Sequence, residues 1–123
     1  MAHIYEEVVS VTTTGADGSG VGSAESGELV GYLESIFIDY HASAPATTDV
    51  TIAFATRGGN ILVVSNSATD GLYAPVKQAC DAAAAAISGA YVNHVLNQPL
   101  AISVAGCNAL TAAVTVYIRY MLA

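Results

Sequence analysis

The sequence is that of a small, apolar and acidic chain. It has 123 residues, of which 54% are hydrophobic and only 11% are charged, whereas ordinary globular domains carry about 25% charged residues. The net charge is −7, and only Arg57, Lys77 and Arg119 are basic. Nucleic-acid binding needs clustered basic side chains to neutralise phosphates, so this composition excludes it and disfavours binding to an anionic membrane surface.

The length predicts one domain over residues 1–123. Because a small domain has little interior for so many apolar residues, we expect part of its surface to be buried against other chains. The N-terminus has Glu6 and Glu7 ahead of its apolar residues and no basic region, so it does not resemble a secretory signal. No stretch of about 20 residues is free of polar interruption, so no transmembrane helix is expected.

The first 41 residues read as two strands with a loop between them. Residues 4–14 are rich in Val and Thr and predict a strand. Residues 15–28 hold five of the eleven glycines and predict a flexible turn region or exposed loop. Residues 29–41 are apolar on both faces, which predicts a strand covered at least partly on both sides. Gly31 marks a bulge or a close approach of another segment.

The middle of the chain carries the clearest hairpin pattern. Residues 49–56 alternate between large apolar side chains, expected to face inward, and small or polar ones such as Thr51 and Ala53, expected to face outward. The turn sequence "RGGN" at residues 57–60 connects them to a second strand at 61–67. The inward-facing residues are Val50, Ile52 and Phe54.

The last third of the chain contains one ambiguous segment. Five consecutive alanines followed by Ser88-Gly89 favour one short helix near residues 78–88, while the neighbouring segments favour strands. Residues 98–106 and 112–122 alternate as two further strands around a turn. The total is six to eight strands, which predicts an all-β, single-domain antiparallel β-sandwich or barrel of jelly-roll type.

The stretch "DYHASAPATTDVTI" raises the question of catalysis, because Asp39, His41, Ser43 and Asp49 lie within eleven residues. A hydrolytic site needs a base within hydrogen-bond reach of its nucleophile and a third group that orients the base. Ser43 precedes a proline-containing turn and has no nucleophile-elbow sequence around it. We therefore interpret the stretch as a structural junction between two strands, formed by Asp39, His41, Pro45, Thr48 and Asp49, and predict no catalytic residue.

No pattern predicts a metal or a cofactor. His3 and His94 are isolated in the sequence, and no metal-binding spacing of His or Cys occurs. Cys80 and Cys107 are 27 residues apart, which favours two buried thiols and leaves a disulfide between them as the alternative. The seven tyrosines, without any Trp, favour core or subunit-interface positions over a carbohydrate-binding platform.

Three segments resemble a known class of proteins. They are "GYLESIFIDYHASAPATTDVTIAF", "ILVVSNSATDGLYAPV" and "PLAISVAGCNALTAAVTVYIRY". In order and turn pattern, residues 27–121 resemble the small β-rich proteins that decorate or cement the capsids of tailed bacteriophages and prophages. The resemblance covers strands and turns and contains no chemical signature.

The resemblance implies a non-enzymatic structural protein that binds the major capsid protein on the outside of a virion and stabilises the shell. Such proteins are usually homo-oligomers, and a trimer is favoured. The protein would be made in the host cytoplasm. Residues 1–8, which the resemblance does not cover, are a candidate N-terminal docking arm. The alternative is a fibre-type or adhesin-type binding module that recognises a glycan or a host surface.

Overall fold

The computed structural model describes residues 3–122, which form eleven β-strands and no helix. Every strand pairing is antiparallel. This confirms the predicted all-β antiparallel fold. The strands are β1 (His3–Val11), β2 (Gly20–Glu25), β3 (Val30–Tyr40), β4 (Asp49–Phe54), β5 (Asn60–Val64), β6 (Gly71–Tyr73), β7 (Val76–Cys80), β8 (Ala86–Asn93), β9 (Val95–Asn97), β10 (Leu100–Cys107) and β11 (Val114–Leu122).

Two sheets form a sandwich. The five-stranded sheet has the order β1-β11-β3-β6, with β9 also pairing with β3, and the four-stranded sheet has the order β2-β10-β4-β5. The core lies between them and includes Ile36, Ile38, Val50, Ile52 and Ile102, all of which are fully buried. Burying one such side chain contributes about 1.5–3 kcal/mol to stability. The predicted alternation is confirmed, since the inward-facing residues of residues 49–56 are all buried.

Strand β3 changes the face of its apolar residues at a β-bulge. Arg119 of β11 pairs with Ser35 and Tyr120 pairs with Leu33, so Glu34 is the extra residue between them. Leu33 therefore points into the core before the bulge, and Ile36 points into it after the bulge. This shift of parity explains part of the two-faced apolar pattern seen in the sequence.

The prediction of a loop over residues 15–28 is wrong in its second half. Gly20–Glu25 forms β2, which pairs with β10 at the edge of the four-stranded sheet. A Cβ atom on Gly22 would lie 2.3 Å from the carbonyl oxygen of Thr12, so the close approach of these two segments requires glycine there. Glycine-rich sequence usually indicates a loop, but here Gly22 lies in a strand and allows another segment to pack closely against it.

The short helix favoured near residues 78–88 is also wrong. Residues 76–93 form a hairpin of β7 and β8 with a turn at 81–85. Oδ1 of Asp81 accepts hydrogen bonds from the backbone N–H groups of Ala83 (2.9 Å) and Ala85 (3.0 Å), which diverts these donors from helical bonding. Ala84 has a φ of 65°, in the left-handed region that a right-handed helix cannot continue through.

Neither cysteine forms a disulfide. Cys107 is buried and Cys80 is exposed on β7, and both thiols are free. The disulfide alternative is therefore wrong, and the expectation of a buried thiol holds for Cys107 but not for Cys80.

At the N-terminus, residues 3–8 of the candidate arm lie in β1 and pair with β11. Residues 1 and 2 of that arm lie outside the described residues.

Candidate functional site: a depression on the outer face of the five-stranded sheet

An open depression with a volume of about 400 Å³ lies on the outer face of the five-stranded sheet. Strands β1, β11, β3 and β6 supply its floor with side chains that point away from the core. We call it the outer-face depression. Its lining residues are Glu6, Ser35, Phe37, Asp39, Leu72, Tyr117 and Arg119.

The strand register arranges the floor as rows across the sheet, and the middle row is apolar. Tyr117 of β11 pairs with Phe37 of β3, and Phe37 pairs with Leu72 of β6. The two aromatic rings are tilted by 54° with centroids 6.0 Å apart, a favourable geometry for such a pair. Leu72 is 70% exposed, so this row offers apolar surface directly to solvent.

A polar row lies on one side of the aromatic pair. Glu6 of β1 pairs with Arg119 of β11, which pairs with Ser35 of β3. Nε of Arg119 donates a hydrogen bond to Oε2 of Glu6 at 3.2 Å, and both side chains are well exposed. An exposed ion pair of this kind contributes less than about 1 kcal/mol to stability. Both groups therefore remain available for further hydrogen bonds at little energetic cost.

A second polar row lies on the other side of the aromatic pair. Thr115 of β11 pairs with Ser10 of β1 and with Asp39 of β3. The hydroxyl oxygens of Ser10 and Thr115 are 3.3 Å apart, and Asp39 is half-buried. Because residues two apart on a strand are about 6.6 Å apart, each polar row lies about that distance from the aromatic row.

Further exposed apolar side chains flank the depression on the same face of the sheet. Ile4 and Val8 lie on β1, Tyr32 lies near the start of β3, and Val95 lies opposite it on β9. Their exposed fractions range from 42% to 61%. Several exposed apolar side chains on one face of a small domain often mark a surface that contacts a partner or a ligand. This set is called the apolar rim below.

The structure divides the predicted junction residues between two places. Asp39 lies in the outer-face depression, while Pro45, Thr48 and Asp49 belong to the β3–β4 connection and the start of β4. The carbonyl oxygen of Pro45 accepts hydrogen bonds from the N–H (3.1 Å) and the hydroxyl (2.7 Å) of Thr48. Oδ1 of Asp49 accepts a hydrogen bond from the N–H of Asn66 at 2.8 Å. These groups bind neighbouring backbone.

His41 also serves the local backbone. Its Nδ1 accepts a hydrogen bond from the N–H of Ser43 at 3.0 Å, and its own N–H donates to the carbonyl oxygen of Ala113 at 2.9 Å. The ring nitrogen nearest to Ser43 thus contacts the backbone of that residue rather than its hydroxyl. Asp39, His41, Ser43 and Asp49 do not converge on one reactive point.

His94 does not line the outer-face depression. His94 is buried against Phe54, with ring centroids 6.1 Å apart, and burial lowers the pKa of its imidazole, with Lys77 and Arg57 lowering it further. Within residues 3–122, no three His, Cys, Asp or Glu side chains are grouped so that they could hold a metal ion. Over the same range, no helix is long and apolar enough to cross a membrane.

Sequence reasoning missed most of the depression. Glu6, Phe37, Leu72, Tyr117 and Arg119 carry no motif, and they come from four strands that are distant in the chain. The signal that could have found them is the alternation of inward- and outward-facing residues along a strand. In β11, Tyr117 and Arg119 alternate with Val116 and Ile118, which are fully buried, so they face outward.

Comparisons with known proteins add the following. No model of a known protein family matches the sequence, and no curated protein is significantly similar to it. Among solved structures, a crystal structure of FLHE is 16% identical, with a TM-score of 0.44, and the match covers 97% of this chain and 96% of that one.

Two further structures are similar over almost the whole chain. A tailspike protein 4 domain of bacteriophage CBA120 is 11% identical with a TM-score of 0.39, and the match covers 98% of this chain but only 18% of the tailspike. A family 29 carbohydrate-binding module is 11% identical with a TM-score of 0.39, with 98% and 87% covered. At TM-scores below 0.5 these likenesses carry no argument about function.

Proposed function

We propose that this chain is a non-catalytic binding module that holds a neutral glycan in the outer-face depression. The observation that carries the proposal is the arrangement of an aromatic row between two polar rows on one sheet face. Small-ligand sites are mostly apolar with a few placed polar groups that fix orientation, and volumes of about 300–1,000 Å³ are typical. The depression meets both conditions.

A sugar ring has polar and apolar parts in the same order as the apolar row and the two polar rows of the depression. Its C–H groups form an apolar face that can pack on Phe37 and Tyr117, while its hydroxyl groups lie around the ring edge. The carboxylates of Glu6 and Asp39 lie on opposite sides of the aromatic pair and can accept hydrogen bonds from hydroxyls, and the guanidinium of Arg119 can donate them. The four strands span about 14 Å, so more than one ring can lie along the aromatic row.

Charge favours a neutral glycan over an acidic one. The chain has a net charge of −7, and its field raises the free energy of any anion near the surface. Arg119 is the one basic residue that lines the depression, and Glu6 already pairs with it. A uronic-acid or sulfated polymer would therefore meet two carboxylates and no unpaired cation.

Isothermal titration of the chain with soluble glucans, galactans and mannans tests this proposal. We expect one of these neutral polymers to bind and Tyr117→Ala to weaken binding at least tenfold, because the variant removes half of the aromatic row. Tyr91→Ala is the matched control, since Tyr91 is an exposed tyrosine on the 76–93 hairpin, away from the depression. Absence of binding to every neutral polymer, or an equal loss in both variants, would refute the glycan site.

The apolar rim favours a second candidate, capsid decoration. Ile4, Val8, Tyr32 and Val95 offer apolar contact over an area wider than a sugar requires. Together with the resemblance of residues 27–121 to phage decoration proteins, the rim supports docking of this sheet face onto a major capsid protein on the virion surface. Multivalent docking across a lattice would let modest contacts sum to stable attachment.

Co-sedimentation with capsids of the phage or prophage that encodes the chain distinguishes the two candidates. Val8→Asp places a charge in the rim, and if decoration is the function it should abolish co-sedimentation. A glycan module should not pellet with capsids at all. The matched control is Val63→Asp, because Val63 is similarly exposed on β5 of the opposite sheet.

A further inference from the structure

The 76–93 hairpin stands apart from the sandwich. β7 and β8 pair only with each other among the described strands, and none of their side chains is buried. The hairpin leaves the edge of β3 between β6, which pairs with Ile36–Ile38, and β9, which pairs with Val30–Tyr32. It is therefore a two-stranded ribbon with solvent on both faces and two open edges.

Such a ribbon is at most marginally stable in water by itself. It nevertheless carries Val76, Ile87, Tyr91 and Val92, each of which is between 44% and 60% exposed. An open strand edge presents unpaired N–H and C=O groups that pair readily with another strand. A strand that adds to this edge would satisfy the backbone groups and cover part of the apolar surface.

The hairpin has no net charge, although the protein is acidic. Lys77 and Asp81 are the only charged residues from 76 to 93, so this segment is neutral and the rest of the chain carries the whole net charge of −7. Two copies of the chain repel each other over most of their surfaces. Two hairpins that meet add no net charge repulsion of their own.

Lys77 and Asp81 are self-complementary about Ala79. In an antiparallel pair of β7 strands centred on Ala79, Lys77 of each copy lies opposite Asp81 of the other, the turn residue that directly follows the end of β7 at Cys80. A two-fold axis therefore produces two ion pairs. Asp81 is free to take part, because its hydrogen bonds to the turn use Oδ1 and leave Oδ2 available. In the described structure Lys77 forms no ion pair within its own chain.

We propose that β7 is a self-association strand, which pairs antiparallel with β7 of a second copy of this chain. The interface consists of strand addition along β7, two Lys77–Asp81 ion pairs and apolar contact from the hairpin faces. It is independent of the outer-face depression, so the proposal goes beyond glycan binding. The register places Cys80 opposite Gln78 of the other copy, so no disulfide is involved.

Sedimentation equilibrium of the full chain in a reducing buffer tests the proposal. We expect the wild type to show a monomer–dimer equilibrium and Lys77→Glu to weaken the dimer at least tenfold, because it places two like charges opposite each other twice. Asp81→Asn is the second variant. Its Oδ1 keeps the turn while the amide replaces the charged oxygen, so the dimer weakens although the hairpin remains folded.

Two controls separate this interface from other causes. Cys80→Ser should leave the dimer unchanged, and Lys77→Glu should bind a glycan as the wild type does, because the depression lies elsewhere. A wild type that is monomeric up to millimolar concentration would overturn the proposal. So would an oligomer, including a trimer, whose stability is the same in Lys77→Glu and Asp81→Asn as in the wild type.

Discussion

Gly31 and Met121 are packed so closely that a single methyl group cannot fit between them. A Cβ atom on Gly31 would lie 2.1 Å from the carbonyl oxygen of Met121, and Gly31 has a φ of +131°. We expect Gly31→Ala to lower the free energy of unfolding by about 2–4 kcal/mol, because it adds backbone strain to a steric clash. Urea denaturation measures this loss.

Gly58→Ala is the matched control for that variant. Gly58 also has a positive φ, +80°, but a Cβ atom on it would have no other atom within 4 Å. Only the conformational cost of the left-handed backbone remains, about 1–2 kcal/mol. Equal losses in the two variants would show that β11 moves away from Gly31 without cost.

Ala84→Gly should stabilise the turn of the 76–93 hairpin. Ala84 has a φ of 65°, which glycine adopts without the steric cost that alanine bears. We expect a gain of up to about 1 kcal/mol in local stability, visible as slower hydrogen exchange of the Asp81 amide, which donates to the carbonyl oxygen of Ala85 at 2.9 Å. Ala82→Gly should have the opposite effect, because Ala82 does not have a positive φ. Faster exchange in Ala84→Gly would contradict the prediction.

Thr48→Val should destabilise the β3–β4 connection. Thr48 is fully buried, and its hydroxyl donates to the carbonyl oxygen of Pro45 at 2.7 Å. Replacing the hydroxyl with a methyl group of similar volume removes this bond and should cost about 1–2 kcal/mol in thermal or urea unfolding. Thr51→Val, on the outer face of β4, is the control and should change stability by less than about 0.5 kcal/mol. A neutral Thr48→Val would show that the bond contributes nothing.

His94 should make stability depend on pH in mildly acidic solution. Burial lowers the pKa of His94 below its usual 6.5 in the folded protein, so the unfolded chain takes up the proton first as the pH falls. The contribution of His94 to stability is therefore complete above pH 6.5 and is lost as the pH falls through the folded-state pKa. Unfolding midpoints should fall less steeply between about pH 7 and 5 in His94→Gln than in the wild type.

The fold class was predictable because the alternation of inward-facing apolar residues with outward-facing residues can be recognised within a single strand. Val50, Ile52 and Phe54 face inward as their spacing predicts, since a strand with one buried face needs apolar residues at every second position. The helix near residues 78–88 was mispredicted because alanine propensity is a local quantity, and the side chain of Asp81 outweighs it. β2 was missed because its glycines serve a contact between distant segments that no local rule detects.

The candidate site was predictable only in part. Asp39 drew attention because of the residues near it in the sequence. In the depression, however, it lies with Glu6 and Arg119, which are 113 residues apart along the chain and pair with each other. Such a row exists only after β1, β11 and β3 have found their register. Since register depends on a bulge at Glu34 as well as on alternation, the alignment of these side chains could not be derived from spacing alone.

The hydrogen-bonding edge of β3 has a consequence for solubility. β3 is the longest strand, with eleven residues, and an uncovered edge of that length would act as a template for intermolecular β-aggregation. β6 and β9 occupy this edge at Ile36–Ile38 and Val30–Tyr32, and the N–H of Leu33 donates to the carbonyl oxygen of His94 in the gap between them. Two three-residue strands thus cover the edge of β3 that would otherwise be open to pairing with other chains. The 76–93 hairpin connects these two strands, and its own open edges face solvent.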